Sequence, residues 1–300
     1  MKRFLLIPFL TATCLAVPPA AAKFDSGRAY EDLRQMVAFG ARPAGSPALG
    51  KTRDYIKAQL KAAGLTVQEQ PFDAQTPAGT VHMVNFWATV PGQSSGKGRI
   101  VIGGHYDTKR FQDFTFVGAS DAASSAAFVL ELARTLKARQ NPLPIELLFL
   151  DGEEAINRDW DVKSTDHTYG SRYYVQEAVK AGTAKDIRAF ILVDMIGAKN
   201  LIVHREQYST AWLTDAVWSA AKKLGHADVF KDDAFPIEDD HLEFLDAKIP
   251  SVDIIDLQDY PEWHTARDDL AHVGAGSLQT VGDVVIAALP AIEKHLANEQ

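Results

Sequence analysis

Apolar residues fall along this chain in two rhythms. Nearly unbroken apolar runs at 99–103, 145–150, 189–193 and 252–257 have the length and character of strands buried on both faces. Between them, apolar positions recur at helical spacing over 122–138, 171–181, 210–224 and 277–297, one face apolar and the other polar. Two helices precede the first run. Ser26 is placed to cap one over 29–38, and Ser46 with Pro47 behind it opens another that runs to 63 and closes at Gly64. Residues 66–72 and 81–90 read as paired edge strands around Pro77-Ala78-Gly79, and 201–204 as one further short strand. The βαβαβ order predicts an α/β fold with a mixed, mainly parallel central sheet and helices on both faces.

In such a sheet the strand ends share one edge, and that is where chemistry-bearing residues recur. The run 99–103 leads into His105-Tyr106-Asp107; 145–150 leads into Asp151-Gly152-Glu153-Glu154; 189–193 leads into Asp194; and His264 follows 252–257. Asp121, just before the helix expected from 122, is placed to point into the same crevice. Any one of these is ordinary: an acidic loop, a helix cap, a hydrogen-bonded histidine. Five at the ends of consecutive α/β units make a nitrogen and oxygen ligand set suited to zinc, and the absence of cysteine from that set favours a catalytic over a structural site. Two adjacent carboxylates at one strand end allow one to hold a metal while the other moves a proton.

Composition narrows the setting. The chain has 300 residues, 46% hydrophobic and 23% charged, enough for one large domain. Residues 1–22 carry Lys2 and Arg3, an apolar stretch over 4–17, and Ala20-Ala21-Ala22, the three parts of a secretory signal peptide. A single catalytic domain over 23–300, exported to periplasm or medium and monomeric, is expected. The 14-residue stretch is too short to span a bilayer, and no later stretch reads as a span of roughly 20 apolar residues. Cys14 is the only cysteine; Thr13 before it makes a poor lipoprotein site, and a chain beginning near Lys23 has neither thiol nucleophile nor disulfide. Removing residues 1–22 moves the net charge from −8 to −10, which leaves no basic stripe for nucleic acid.

Gly104-His105-Tyr106-Asp107, Gly118-Ala119-Ser120-Asp121, Asp151-Gly152-Glu153-Glu154, Val193-Asp194-Met195-Ile196-Gly197 and Trp263-His264-Thr265 resemble the ordered motifs of the zinc aminopeptidase superfamily, which includes the glutaminyl cyclases. Lys109, Trp160, Tyr169-Gly170-Ser171-Arg172, Asp239-Asp240-His241 and Pro261-Glu262-Trp263 lean toward the cyclase branch. The resemblance spans roughly residues 30 to 295. It implies one Zn2+ on Asp121, Glu154 and His264, Glu153 as general acid/base, Asp194 and Asp239 in a carboxylate network around Glu153, and substrate contacts from Trp160, Trp263, His241 and Lys109. The expected substrate is a peptide or protein with N-terminal Gln, cyclised to pyroglutamate with loss of ammonia. The chain departs from the secreted animal enzymes in lacking their disulfide, and its spacing from Glu154 to Trp160 is slightly wider. Two other readings stay open at this point. A two-zinc aminopeptidase would use His105 and Asp194 for the second ion with Asp121 bridging, and a non-catalytic binding module would have kept only the fold. His82, His167, His204, His226, His272 and His295 stand outside the motifs and read as structural or exposed, and Lys231-Asp232-Asp233 reads as a solvated turn.

Overall fold

A computed structural model describes residues 23–93, 98–157, 159–161 and 163–298; the signal peptide expected over 1–22 lies outside the described residues. Helices α1 (Ser26–Ala38) and α2 (Pro47–Ala62) come first, followed by the hairpin β1 (Val67–Thr76) and β2 (Gly79–Val90). Then follow β3 (Arg99–His105), α3 (Ser125–Lys137), β4 (Ile145–Leu150), α4 (Tyr169–Lys180) and β5 (Ile187–Asp194). The chain continues through β6 (Val203–Glu206), α5 (Ala211–Lys223), β7 (Phe230–Phe235), α6 (His241–Asp246), β8 (Ser251–Ile255) and α7 (Ala275–Asn298). Six strands form one sheet in the order β1-β2-β4-β3-β5-β8. The pairs β4·β3, β3·β5 and β5·β8 are parallel, and the hairpin adds two antiparallel strands at one side. The mixed, mainly parallel sheet expected from the sequence is the observed one.

The central strands alternate between two cores because strand side chains point to opposite faces. Ile102, Leu147, Phe149 and Ile191 pack on the side of α1, α2, α3 and α7, and Val101, Leu148, Leu150, Phe190 and Leu192 pack on the side of α4 and α6. At roughly 1.5–3 kcal/mol per fully buried large apolar side chain, these faces fix where the strands end. The one polar residue inside β4, Glu146, is neutralised in place by Arg99 at 2.9 Å and by the Tyr174 hydroxyl.

Several local expectations need correcting. Asp25, not Ser26, caps α1, accepting the Arg28 N–H at 3.0 Å; Ser46 does cap α2. Of the two hairpin strands only β1 is an edge, since β2 also pairs with β4. Helix α3 begins at Ser125, and Asp121 lies in an irregular turn before it. Lys231-Asp232-Asp233 belongs to β7, which pairs with β6 in a separate two-stranded sheet; its exposed polar side chains hid the strand. Among the described residues α7 is the one helix long and apolar enough to cross a membrane, and half of that stretch is buried. Its inner residues, including Val281, Val285 and Leu289, sit in the main core, as a core helix requires.

Candidate active site

The parallel strands deliver their C-terminal ends to one crevice. His105 ends β3 and Asp194 ends β5. After β4, Gly152 takes φ +71°, and a Cβ there would lie 2.5 Å from the Met83 sulfur, so only glycine makes this turn. The turn is tied to α4 by the Thr168 N–H on the Glu153 carbonyl and the Tyr169 N–H on the Gly152 carbonyl, both at 2.8 Å. It carries Glu153 and Glu154 into the crevice, both buried. The Asp107 carboxylate accepts their backbone N–H groups at 3.2 and 3.4 Å.

Asp121 is set from the opposite side. The Asp268 carboxylate accepts the backbone N–H groups of Ser120 at 2.7 Å and Asp121 at 3.0 Å, and also the Tyr260 hydroxyl at 2.8 Å. His264, from the same loop as Asp268, lies with Nε2 at 3.4 Å from Asp121 Oδ2 and 3.3 Å from Glu154 Oε1. Trp263 stacks on its ring at 4.3 Å, and Phe111 and Phe116 meet it edge-on. Two overlapping groups of ligand atoms result, Asp121/Glu154/His264 and His105/Asp121/Asp194, each with its atoms within 4.8 Å of one another.

The electrostatics of this crevice call for a cation. Burial pushes Glu153 well above the usual carboxylate range, and the neighbouring charges of Glu154, Asp239 and Asp240 push the same way against His105. Burial and the charge of Asp121 raise Glu154; burial, then Asp194 and Asp240, raise Asp239 strongly. Burial alone would lower His264, yet Glu154 and Asp121 lift it to about 10. A positive charge between these groups is therefore strongly favoured, and a divalent ion satisfies the same field. The donor set fits zinc: ligand atoms at about 2.0–2.1 Å around a tetrahedral ion lie roughly 3.3–3.4 Å apart, the separations found between His264 and its two carboxylates.

The second group is arranged differently. Asp194 Oδ1 accepts the Ser125 hydroxyl at 3.1 Å and the Met195 N–H at 2.8 Å, and faces His105 Nε2 at 3.1 Å. His105 Nδ1 faces Asp107 at 3.4 Å and Glu153 Oε2 at 3.8 Å.

Above these groups opens a cavity of about 380 Å³ lined by Asp121, Glu153, Glu154, Asp194, Asp239 and His264 at its floor, with Trp160 and Trp263 among its walls. Trp160 stacks on His167 at 4.1 Å, so His167 has a partner that sequence did not reveal. Two expected substrate contacts are placed elsewhere. Lys109 is buried with Nζ donating to the Ala155 carbonyl at 2.8 Å and 3.9 Å from Glu154. His241 is buried behind the wall against Glu206. Neither lines the cavity, because each is turned to a buried partner, Lys109 to the Ala155 carbonyl and His241 to Glu206.

Glu206 itself was not anticipated. Its carboxylate accepts the Tyr208 and Ser209 N–H groups at 2.9 and 2.7 Å, the Ser209 hydroxyl at 2.9 Å and the Ile237 N–H at 3.3 Å, and it faces His241 Nε2 at 2.9 Å. It thus joins β6, the strap over 236–240 and α6 into one cavity wall. Glu206→Ala leaves two buried groups, the Ile237 N–H and the His241 ring, and three partly buried donors unmet, at about 1–3 kcal/mol for each buried one, so a loss of roughly 3–5 kcal/mol in urea unfolding is expected. An unchanged midpoint would refute this clamp.

Residues 85–289 match the model of Peptidase family M28. The chain belongs to Peptidase family M28. This M28 member is similar to the mouse glutaminyl-peptide cyclotransferase-like protein, with 30% identity over 278 residues that cover 83% of this chain and 71% of the relative. The crystal structure of an Acidobacteriales bacterium glutaminyl cyclase superposes with TM-score 0.86 and 36% identity, covering 96% of this chain and all of that one. A structure described as a leucine aminopeptidase precursor from Bacteroides thetaiotaomicron superposes with TM-score 0.82 and 29% identity, over 91% of this M28 chain and 99% of that one.

Proposed function

We propose that this M28 protein is a glutaminyl-peptide cyclotransferase, converting the N-terminal glutamine of a peptide or protein to pyroglutamate and ammonia. The observation that carries it is the pairing of one buried, unclamped carboxylate, Glu153, with the Asp121/Glu154/His264 ligand set, in a chain similar to glutaminyl cyclases over nearly its whole length. Asp121, Glu154 and His264 hold one zinc ion, which when bound supplies Lewis-acid polarisation of the side-chain amide carbonyl. Glu153 accepts a proton from the substrate's α-amine as that nitrogen bonds to the amide carbon, and returns it to the amide nitrogen as the carbon–nitrogen bond breaks and ammonia leaves. Its raised pKa suits both directions of that transfer near neutral pH. No water enters the balance. Trp160 and Trp263 wall the cavity and keep water from competing with the amine. Asp194 and Asp239 flank Glu153: the first anchors His105, and the second is held above the usual carboxylate range by burial and by the charges of Asp194 and Asp240. Lys109 and His241 support this arrangement from behind. The same reading includes export through residues 1–22, one catalytic domain over 23–300, and a monomer.

A second reading is a two-zinc aminopeptidase. It is favoured by the His105/Asp121/Asp194 group and by the aminopeptidase-described neighbour. Against it stand the Ser125 hydroxyl and Met195 N–H already donating to Asp194 Oδ1. Mass spectrometry of a Gln-initiated peptide after incubation separates the two. Loss of about 17 Da, one ammonia, is expected; release of free amino acid from Gln- and Leu-initiated peptides would sink the cyclase reading.

A further inference from the structure

Four large hydrophobic side chains are exposed among the described residues, and two of them, Tyr208 at 48% and Trp263 at 42%, stand at the mouth of the same cavity. The wall of that cavity also presents Glu238, an exposed carboxylate flanked by the buried Ile237 and Asp239. Its backbone neighbours are fixed: the Ile237 N–H bonds to Glu206 at 3.3 Å and the Asp240 N–H to Asp239 at 2.5 Å. Glu238 Oε2 accepts the Trp160 indole N–H at 3.5 Å, while Oε1 has no hydrogen bond and no lysine or arginine pairs with it among the described residues. Nearby acids elsewhere are matched, as Glu243 is by Arg172 at 3.0 Å. Trp160 is itself flanked by the exposed Asp159 and Asp161.

We infer that this mouth is a recognition subsite for a positively charged side chain, lysine or arginine, at the second position of the peptide, with Glu238 as the residue that sets the preference. A carboxylate with no lysine or arginine partner among the described residues, set among aromatic side chains, is the combination that attracts an ammonium or guanidinium group. The catalytic acids occupy the cavity floor, so a glutamine side chain that reaches Glu153 leaves the next residue of the peptide at this rim. Glu238, Asp159 and Asp161 place three exposed carboxylates on this side of the mouth, an excess that draws cationic peptides over acidic ones. The inference rests on the cyclisation reading and adds to it which peptides are preferred.

The test compares ammonia release from Gln-Lys-amide, Gln-Leu-amide and Gln-Glu-amide by the zinc-loaded enzyme. At low salt, kcat/KM for the lysine peptide is expected to exceed that for the glutamate peptide about tenfold, the scale of one exposed charge interaction gained and one avoided, with the difference carried by KM. Glu238→Gln should compress that ratio to about threefold or less, Glu238→Lys should invert it, and 0.5 M NaCl should shrink it in the unsubstituted enzyme. Equal rates on the two charged peptides, or a ratio unmoved by Glu238→Gln, would overturn the subsite while leaving cyclisation intact. Absence of ammonia release from all three peptides would overturn the cyclisation reading and the subsite with it.

Discussion

Glu153→Gln is expected to lower kcat for cyclisation of a Gln-initiated peptide by about 10²–10⁴-fold, the usual weight of a positioned acid/base group, with zinc content unchanged. The substitution keeps the shape and removes only the ability to take up and return a proton. Glu153 is the member of the acidic pair outside the Asp121/Glu154/His264 group, so metal retention follows if the two roles are divided as proposed. Stability should move the other way. A carboxyl whose pKa lies higher folded than unfolded, as burial makes that of Glu153, gains stability where it is protonated and loses it as pH rises through the raised value. At pH 8, once zinc has been removed from both proteins, the glutamine variant escapes that loss and should unfold at an equal or higher midpoint. Steady-state ammonia release, elemental analysis and thermal unfolding of the same preparation check the three statements together. Turnover within a fewfold of the unsubstituted enzyme would remove Glu153 from the mechanism and take both enzyme readings with it.

The residues that do the proposed chemistry were legible because each sits where a periodic pattern stops. Apolar runs such as Ile145–Leu150 announce a strand by composition, and the polar residue after each must emerge at the sheet's edge. The residues that position them were not legible, since their partners are remote in sequence. Asp268 fixes Ser120 and Asp121 from 147 or 148 positions away, and Glu206 holds Ile237 and His241 from 31 and 35. Asp107 lay in plain view inside the His105-Tyr106-Asp107 motif, yet its clamp on the Glu153 and Glu154 backbone depends on how two turns face each other. Motif resemblance also overreached: Lys109 and His241 are in the right motifs, but their side chains point into protein. Strand β7 and helix α6 went unseen because one is polar and exposed and the other only six residues long, too short to show a period.

Removing the metal should abolish cyclisation, and the pattern of ligand variants should say how many ions matter. Dialysis against a chelator is expected to leave no measurable ammonia release, and stoichiometric zinc to restore it. His264→Ala should hold no zinc, since it takes one corner from a three-ligand site whose remaining donors, Asp121 and Glu154, are both carboxylates and repel each other once the cation is gone. His105→Ala divides the two enzyme readings. Its Nε2 lies 3.1 Å from Asp194 and 3.3 Å from Asp121, so in the one-zinc enzyme it braces two carboxylates without holding the ion. The variant should then keep one zinc per chain and lose only part of its turnover. In a two-zinc enzyme the same change deletes a ligand, and the zinc count falls from two to one. Stability follows the metal by mass action: zinc present at about a thousand times its dissociation constant adds roughly 4 kcal/mol. Apo and zinc-loaded protein should therefore differ by that order in urea unfolding, and His264→Ala should unfold at the same midpoint with or without zinc. Two tightly held zinc ions in the unsubstituted protein, with one lost in His105→Ala, would decide for the peptidase. One zinc, retained in His105→Ala and absent from His264→Ala, leaves Glu153 beside a single cation, which is the arrangement cyclisation needs.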